Sequence, residues 1–284
     1  MYWALIPSLI LFLTEAAVSP KVSGPQPETA HVVADMWEDR AAAYDAQAER
    51  ELFELANRER SRVRLTQFKL DAGLIKAARE HATVMATRKE LSHQFPGEPD
   101  LAQRLAVNCK LYLSEAAENV AYADTANRAH DGLMHSPPHR ENLLHPSYNT
   151  IGIGVALRGD TLYVVQDFGN SIATLSSEEA QDAIAQSVDR QRASGKLSKL
   201  KRLDSVSAHK QACAMSDGDS LKSAASATEG RHILRYTSIQ PGTLPAQAAQ
   251  AITDDSVHSY AVGTCFSRSK SYPNGIYWVV LIFY

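Results

Sequence analysis

The spacing of hydrophobic positions predicts two successive helices in the first third of the chain. The first is indicated by a stripe at spacings of three and four that comprises Leu52, Leu55, Ala56, Glu59 and Val63. A second stripe follows Asp71, a residue type that commonly caps helices, and contains Leu74, Ala77, Ala78, His81 and Met85. We interpret His81 as a hydrogen-bonded core residue, with a ligand role as the alternative.

Further along the chain the hydrophobic pattern becomes typical of strands. Residues 151–156 and 162–168 are rich in β-branched and aromatic side chains, and they flank a turn that contains Gly159 and Asp160. This arrangement predicts a β-hairpin. The chain ends with residues 278–284, which are all apolar or aromatic. We expect a packed strand there, because an unpaired edge of this composition would aggregate.

Comparison of the chain with itself indicates an internal repeat. Residues 57–68 align with 189–200, so that Arg58, Arg60 and Leu65 recur as Arg190, Arg192 and Leu197. The segment that begins at 153–154 resembles the one that begins at 262–263, and each leads into a turn and a hydrophobic strand. Nothing after residue 171 corresponds to 135–146. The pattern predicts a shortened, degenerate second copy over 175–284; the alternative is chance similarity between two helix-plus-hairpin segments.

The N-terminus has the pattern of a secretory signal peptide. Residues 2–13 are apolar, and small residues follow up to 19, so we predict a signal peptide over 1–19. An uncleaved membrane anchor and a wrongly assigned start are the alternatives. Residues 20–48 are interpreted as a leader that ends in the start of the first helix. The predicted location is secreted, periplasmic or cell-envelope, without a stable transmembrane span after signal removal.

Composition and charge exclude some classes of partner. The chain has 284 residues, of which 44% are hydrophobic and 21% are charged, which is long enough for a large core. Its net charge of −3 includes no cluster of basic and aromatic residues. Binding of nucleic acid is therefore not expected.

Three cysteines leave two alternatives for their state. Cys109, Cys213 and Cys265 have no C-x-x-C spacing, so a zinc ribbon is excluded and one disulfide at most can form. In an exported protein we favour Cys213 with Cys265, since both belong to the predicted C-terminal unit. Three free buried thiols are the alternative.

The stretch from 135 to 146, HSPPHRENLLHP, concentrates candidate chemistry in twelve residues. Ser136 is expected to cap a short helix whose first turn tolerates two prolines, and Pro146 is expected to end it. His139 then lies in the first turn of that helix. The positive end of the helix dipole disfavours a protonated imidazole, so a neutral His139 is expected.

Several motifs in order resemble the bacterial form of the CAP superfamily, the cysteine-rich secretory protein, antigen 5 and pathogenesis-related group that carries the SCP domain. The matching positions are Asn57, Glu59, Arg60, Leu65, Asp71, Leu74, Ser92, His93, Glu118, Asn119, Val120, His139, Asn142, Leu143, residues 151–154 and residues 166–168. The resemblance implies an α+β fold with a three-layer α-β-α sandwich over residues 49–170, and it implies secretion.

The same resemblance implies a cavity and its ligands. His93 and His139 correspond to the family's two cavity histidines, and Glu118 to the glutamate of its Gly-Glu-Asn segment. In some members the histidines hold zinc or another divalent metal, so His93 and His139 are possible metal ligands here, with Glu118 as a third. Ala117 replaces the usual glycine. In the animal and plant members a second glutamate follows a tryptophan by three residues, and Ser136 and Leu133 stand at these two positions. The full set of four cavity residues is therefore incomplete.

These residues support two functional hypotheses and a structural alternative. The first is a secreted module that binds a lipid, a peptide or a cell-envelope partner through the cavity around His93, Glu118 and His139. The second is a metal-assisted or acid-base hydrolase that uses the same three residues as catalytic candidates. No H-E-x-x-H or G-x-S-x-G pattern supports a known hydrolase site, so enzyme activity stays open. The alternative is a structural role with a vestigial cavity.

Overall fold

The computed structural model describes residues 43–224 and 230–284. The predicted signal peptide over 1–19 and most of the predicted leader lie outside these residues. The first helix begins at Ala46, ahead of the predicted domain start at residue 49. It follows a two-residue strand that pairs with the first sheet.

Both predicted N-terminal helices are confirmed, and each begins at an aspartate cap. Asp45 accepts hydrogen bonds from the backbone N–H groups of Gln47 and Ala48, and Asp71 accepts one from Leu74. The helices of this half of the chain are α1 (Ala46–Arg62), α2 (Ala72–Arg88), α3 (Leu101–Asn108), α4 (Ala126–His135) and α5 (Pro137–Leu143).

The first sheet is built around the predicted hairpin, which is confirmed. Its strands are β1 (Ala43–Tyr44), β2 (Lys69–Leu70), β3 (Tyr112–Ala123), β4 (Thr150–Arg158) and β5 (Thr161–Ile172). Their order is β1-β4-β5-β3, with antiparallel neighbours, and β2 pairs with β4 in parallel. The strand β3 is therefore an edge strand of this sheet.

Helices cover both faces of the first sheet. The helices α1, α4 and α5 lie over one face, where Leu52, Ala129 and Leu143 pack against Ile153 and other residues of the hairpin. The helix α2 lies over the opposite face, and α3 packs beside α2. The three-layer α-β-α sandwich is thus confirmed, because successive residues of each central strand enter opposite cores.

The second half of the chain forms its own sheet with helices on both faces. Its helices are α6 (Ser177–Ser194), α7 (Val206–Asp217) and α8 (Ala248–Thr253), and its strands are β6 (Lys201–Leu203), β7 (His232–Ser238), β8 (Ser259–Ser267) and β9 (Ile276–Phe283). The helices α6 and α8 pack on one face and α7 on the other. The strand β9 is buried along its whole length between β8 and β7, which confirms the prediction of a packed C-terminal strand.

The two sheets have the same order and the same strand directions. The second sheet runs β6-β8-β9-β7, with β6 parallel to β8 and the other pairs antiparallel. In the first sheet the corresponding order is β2-β4-β5-β3, with β2 parallel to β4. In each sheet the backbone of a helix packs against a glycine of the strand, α2 against Gly154 and α7 against Gly263. In the first sheet Gly152 makes a second such contact with α2.

Arg60 and Arg192, which the sequence repeat aligns, make similar bonds. Arg60 is fully buried and donates from all three guanidinium nitrogens to backbone carbonyls, those of Thr66, Leu143, His145 and Tyr148. Arg192 is also buried and donates to the carbonyls of Ser198, Ile252 and Asp254. In each half the arginine ties the end of the first helix to distant loops.

The two halves of the chain are in direct contact. Arg268 donates to the carbonyls of Cys109, Lys110 and Leu111, at distances of 3.1, 2.9 and 3.0 Å. The Tyr112 hydroxyl donates to the Ile239 carbonyl at 2.8 Å. These bonds hold the segment between α3 and β3 against the second half.

The cysteines take the first of the two predicted states. Cys213 and Cys265 form a disulfide that joins α7 to β8. Cys109 is free and buried, and its burial raises the pKa of the thiol to about 11. Within the described residues, none of the helices has the length and apolar character that crossing a membrane requires.

Candidate functional site

The candidate residues lie around the edge strand β3, on both faces of the sheet. Side chains alternate along this strand. Val120, and with it Glu118, faces the α2 layer, whereas Asn119 faces the layer that contains α5. His93 comes from the loop that follows α2, and His139 belongs to α5. The site therefore reaches around the sheet edge instead of lying on one face.

The loop that carries His93 is held by His81, whose side chain is fully buried. His81 Nδ1 is 2.7 Å from Glu98 Oε1, and its Nε2 is 2.8 Å from the Ser92 carbonyl oxygen. Each ring nitrogen of His81 therefore lies within hydrogen-bond distance of a different part of this loop. The interpretation of His81 as a hydrogen-bonded core residue is confirmed, and its effect is to fix the loop next to His93.

Glu118 is bound by two cationic or polar side chains. Its Oε1 lies 3.0 Å from His93 Nδ1, and its Oε2 lies 2.5 Å from Arg104 Nη2. Arg104 is only 6% exposed and also donates to the carbonyls of His93 and Pro99. Arg104 therefore neutralises the buried carboxylate and anchors the His93 loop at the same time.

Asp167 forms a carboxyl pair with Glu118 across the strands. The two residues are direct partners in the register of β3 and β5, and Asp167 is fully buried. Among the described residues, no donor reaches either oxygen of Asp167. Burial raises the pKa of Asp167 well above its usual range, and the charge of Glu118 raises it further. A protonated, uncharged Asp167 beside the Glu118 carboxylate avoids placing two negative charges in the buried sheet.

His139 lies where the sequence places it, but the local structure differs in one respect. The helix α5 begins at Pro137, directly after Ser136, as expected. The Ser136 side chain makes no capping hydrogen bond, so the predicted cap is wrong. The two prolines explain this, because Pro137 and Pro138 have no N–H, and the first turn offers fewer donors to a cap.

His139 is held by its backbone and has a weakly basic side chain. Its carbonyl accepts a bond from Asn119 Nδ2 at 3.0 Å, and Asn142 Nδ2 donates to Asn119 Oδ1 at 3.0 Å. Burial lowers the pKa of His139, and the nearby His93 lowers it further. Both effects favour the neutral imidazole that the sequence predicts.

The other two histidines of the 135–146 stretch lie elsewhere. His135 and His145 line a surface cleft of about 650 Å³ on the outer side of the corner between α4 and α5. His135 Nδ1 bonds to the Asp131 carbonyl, and the His145 ring stacks on Tyr148. They do not join His93 and Glu118.

The donor set does not fit a three-ligand metal site. Within residues 43–224 and 230–284, no group of three or more His, Cys, Asp or Glu side chains is arranged to hold a metal ion. The hydrogen bonds of Glu118 are consistent with this, because the Arg104 guanidinium already bonds the carboxylate that would serve as third ligand. A metal there would have to displace a buried cation.

Two residues of the cluster, Arg104 and Asp167, were not predicted as site residues. Arg104 comes from a short helix whose pattern indicates nothing unusual. Asp167 does leave a signal, because Gln166 and Asp167 interrupt a hydrophobic strand that is buried on both faces. A polar pair at such a position calls for buried partners.

Comparisons with known proteins agree with the motif pattern. A sequence model of the cysteine-rich secretory protein family, CAP, matches residues 53–168. A curated relative, the uncharacterized protein YkwD of Bacillus subtilis, is 31% identical over 115 residues. That match covers 39% of this chain and 43% of the relative. The chain therefore matches less than half the length of this relative.

Solved structures with similar folds include two bacterial proteins. An outer surface protein of Borrelia burgdorferi is 21% identical, with a TM-score of 0.43, and the match covers 46% of this chain and 99% of that one. An extracellular protein of Bacillus anthracis that contains an SCP domain is 25% identical, with a TM-score of 0.41. That match covers 52% of this chain and 45% of the other.

Proposed function

Because residues 53–168 match the cysteine-rich secretory protein family model, we propose that the chain is a secreted or cell-envelope binding module of the bacterial CAP type. Its binding site is the polar cluster around His93, Glu118 and His139. The candidate ligand classes are a peptide, a lipid and another cell-envelope component. The location rests on the apolar and then small-residue pattern of residues 2–19. The Cys213–Cys265 disulfide fits an oxidising compartment.

One observation carries this proposal: Glu118 is fully engaged. His93 bonds one of its oxygens and Arg104 bonds the other. A carboxylate held in this way has no oxygen free for a metal, but it orients the His93 ring. In the tautomer that donates from Nδ1 to Glu118, the second nitrogen of His93 faces outward as an acceptor.

An acid-base hydrolase is the second candidate, and His139 is the observation that favours it. Burial and His93 keep its imidazole neutral, which suits a general base. A metal-assisted mechanism has no such support, since Arg104 occupies the carboxylate that a metal would use. No nucleophile stands in hydrogen-bond contact with His139 among the described residues.

A retention experiment tests the binding proposal against the hydrolase. The full chain is immobilised and exposed to a cell-envelope extract, and retained molecules are identified by mass spectrometry. We expect a molecule that is retained intact by the wild type and lost in the His93→Ala/His139→Ala variant. Recovery of cleaved fragments with the wild type, and of intact molecule with His139→Ala, would favour the hydrolase instead.

We further propose that residues 175–284 are a shortened second copy of the same fold. The common sheet order, the paired arginines Arg60 and Arg192, and the paired glycines Gly154 and Gly263 support it. Among the described residues between α7 and β7, no helix corresponds to α3, the helix that supplies Arg104 in the first copy. In this proposal the second copy supports the first and has no site of its own.

A further inference from the structure

The direction of each backbone group in β3 follows from the register of the first sheet. Asp45 donates its N–H to the Val155 carbonyl, so Val155 directs its backbone groups toward β1. In antiparallel sheets, both groups of a residue point to the same side, and the side alternates along the strand. The pairings of β4, β5 and β3 then direct the groups of Ala117, Asn119 and Ala121 toward β5.

The residues between them point their backbone groups away from the sheet. These are Ala116, Glu118, Val120 and Tyr122, which we call the β3 outer edge. Among the described residues, one bond reaches this edge, from Asn142 Nδ2 to the Glu118 carbonyl at 3.4 Å. The remaining N–H and C=O groups of the β3 outer edge have no protein partner there. Such groups need partners when they are removed from water.

We propose that the β3 outer edge binds an extended peptide, which adds a strand to the first sheet beside the polar cluster. An extended peptide is the ligand whose own N–H and C=O groups repeat every second residue, as the edge groups do. This inference rests on the proposed function, because it names the ligand class of the same site. The exposed edge residue Tyr122 provides open access at one end.

The position of the two histidines suits an added strand. A new strand lies about 4.8 Å from β3 in the plane of the sheet. It would therefore run between the loop that carries His93, on one face, and α5 with His139, on the other. The His93 side chain is 48% exposed, and the His139 side chain has no hydrogen-bond partner among the described residues. Each can bond peptide side chains that point to its own face of the sheet.

The test begins with a dodecapeptide phage library selected on the full chain. The enriched peptide is synthesised, and its affinity is measured for Tyr122→Pro and for Tyr122→Ala. Proline removes an outward N–H that takes no part in the β3–β5 pairing, so the fold is retained. We expect Tyr122→Pro to weaken binding about tenfold or more. Tyr122→Ala keeps the N–H and is expected to retain most of the affinity.

A second measurement uses the peptide itself. Methylation of single backbone nitrogens should weaken binding at every second position, because only alternate N–H groups of an added strand face β3. No enriched peptide, equal binding to both Tyr122 variants, or a methylation pattern without this alternation would overturn the proposal. So would a dimer of the chain that Tyr122→Pro dissociates, since the edge would then pair with a second copy.

The proposed function can fail separately. If peptide binding is lost in Tyr122→Pro but unchanged in His93→Ala/His139→Ala, the edge binds peptides and the polar cluster is not the binding site. If the histidine variant loses its ligand and Tyr122→Pro does not, the cluster binds something other than an added strand.

Discussion

The two halves of the chain have sheets of the same strand order, but at corresponding positions the first sheet carries charged and polar side chains and the second carries hydrophobic ones. In the first sheet Gly154 pairs with Val165, and Asp167, two residues after Val165, pairs with Glu118. In the second sheet Gly263 pairs with Val280, and Ile282, two residues after Val280, pairs with Ile233. The next pair changes as well, since Asn119 and Gln166 correspond to Leu234 and Leu281.

The helices that cover these pairs, α2 and α7, also differ at the position of one polar residue. In α2, Ala78, Ala82 and Met85 pack on the sheet, and in α7 the equivalent residues are Ala208, Ala212 and Met215. At the position of His81, α7 has Gln211, which accepts a bond from Arg235.

This difference indicates what the polar cluster is for. Hydrophobic pairs in a buried sheet serve the fold as well as buried ion pairs do, or better, because they avoid the cost of removing charges from water. The second half shows that the sheet order does not require Glu118 or Asp167. This comparison supports the proposal that the polar cluster of the first half serves binding.

The largest expected effect comes from Arg104→Ala. It leaves the Glu118 carboxylate buried without its cation and releases the His93 loop, so we expect a loss of about 3–5 kcal/mol in the free energy of unfolding. Arg128→Ala is the matched control, because its ion pair with Asp124 is exposed and should contribute at most about 1 kcal/mol. Urea unfolding measures both. A small loss for Arg104→Ala would show that the cluster is no more than a surface network.

The second prediction tests a feature that the halves share, the close packing of a helix against a strand glycine. A Cβ at Gly154 would lie 2.2 Å from the Arg79 nitrogen, and one at Gly263 would lie 2.1 Å from the Ala208 carbonyl carbon. We expect each alanine variant to lose about 1–3 kcal/mol, because the helix must move away from the strand. Gly132→Ala is the control, since its Cβ meets nothing. A tolerant Gly263 with a sensitive Gly154 would contradict the common architecture.

The third prediction uses pH to separate the halves, because the counterparts of Glu118 and Asp167 in the second half are hydrophobic. The folded-state pKa of Asp167 is raised, so protonated Asp167 favours folding at low pH, and this contribution is lost as the pH rises above about 4 toward the raised value. Asp167→Asn keeps a donor to Glu118 and does not titrate. Its stability relative to the wild type should rise by up to about 1.4 kcal/mol per pH unit in that window. Urea unfolding at pH 4, 6 and 8 measures this, and a difference that stays flat would contradict the protonated Asp167.

Local patterns were enough to predict most of the architecture. Spacing and caps indicate the two N-terminal helices, alternation indicates the β4–β5 hairpin, and the apolar composition of 278–284 indicates β9. The candidate site residues His93, Glu118 and His139 were identified through family motifs. The structure brings His93 and Glu118 into contact and leaves His139 close to His93.

What local patterns could not supply depends on register and on distant segments. The pairing of Asp167 with Glu118 requires the alignment of β3 with β5. The part played by Arg104 requires the position of α3 relative to the sheet. Ser136 is a case in which the local pattern predicts a contact that does not form. Its position is right for a helix cap, but the adjacent prolines remove N–H donors.

The most direct test of the account compares ligand binding at the two halves. The ligand recovered from the envelope extract is titrated by calorimetry into the wild type, into His93→Ala/His139→Ala, and into His209→Ala, which alters an exposed histidine of the second half. The account predicts that binding is lost in the first variant and unchanged in the second. Unchanged binding in the first variant, or an equal loss in both, would contradict a site confined to the first half.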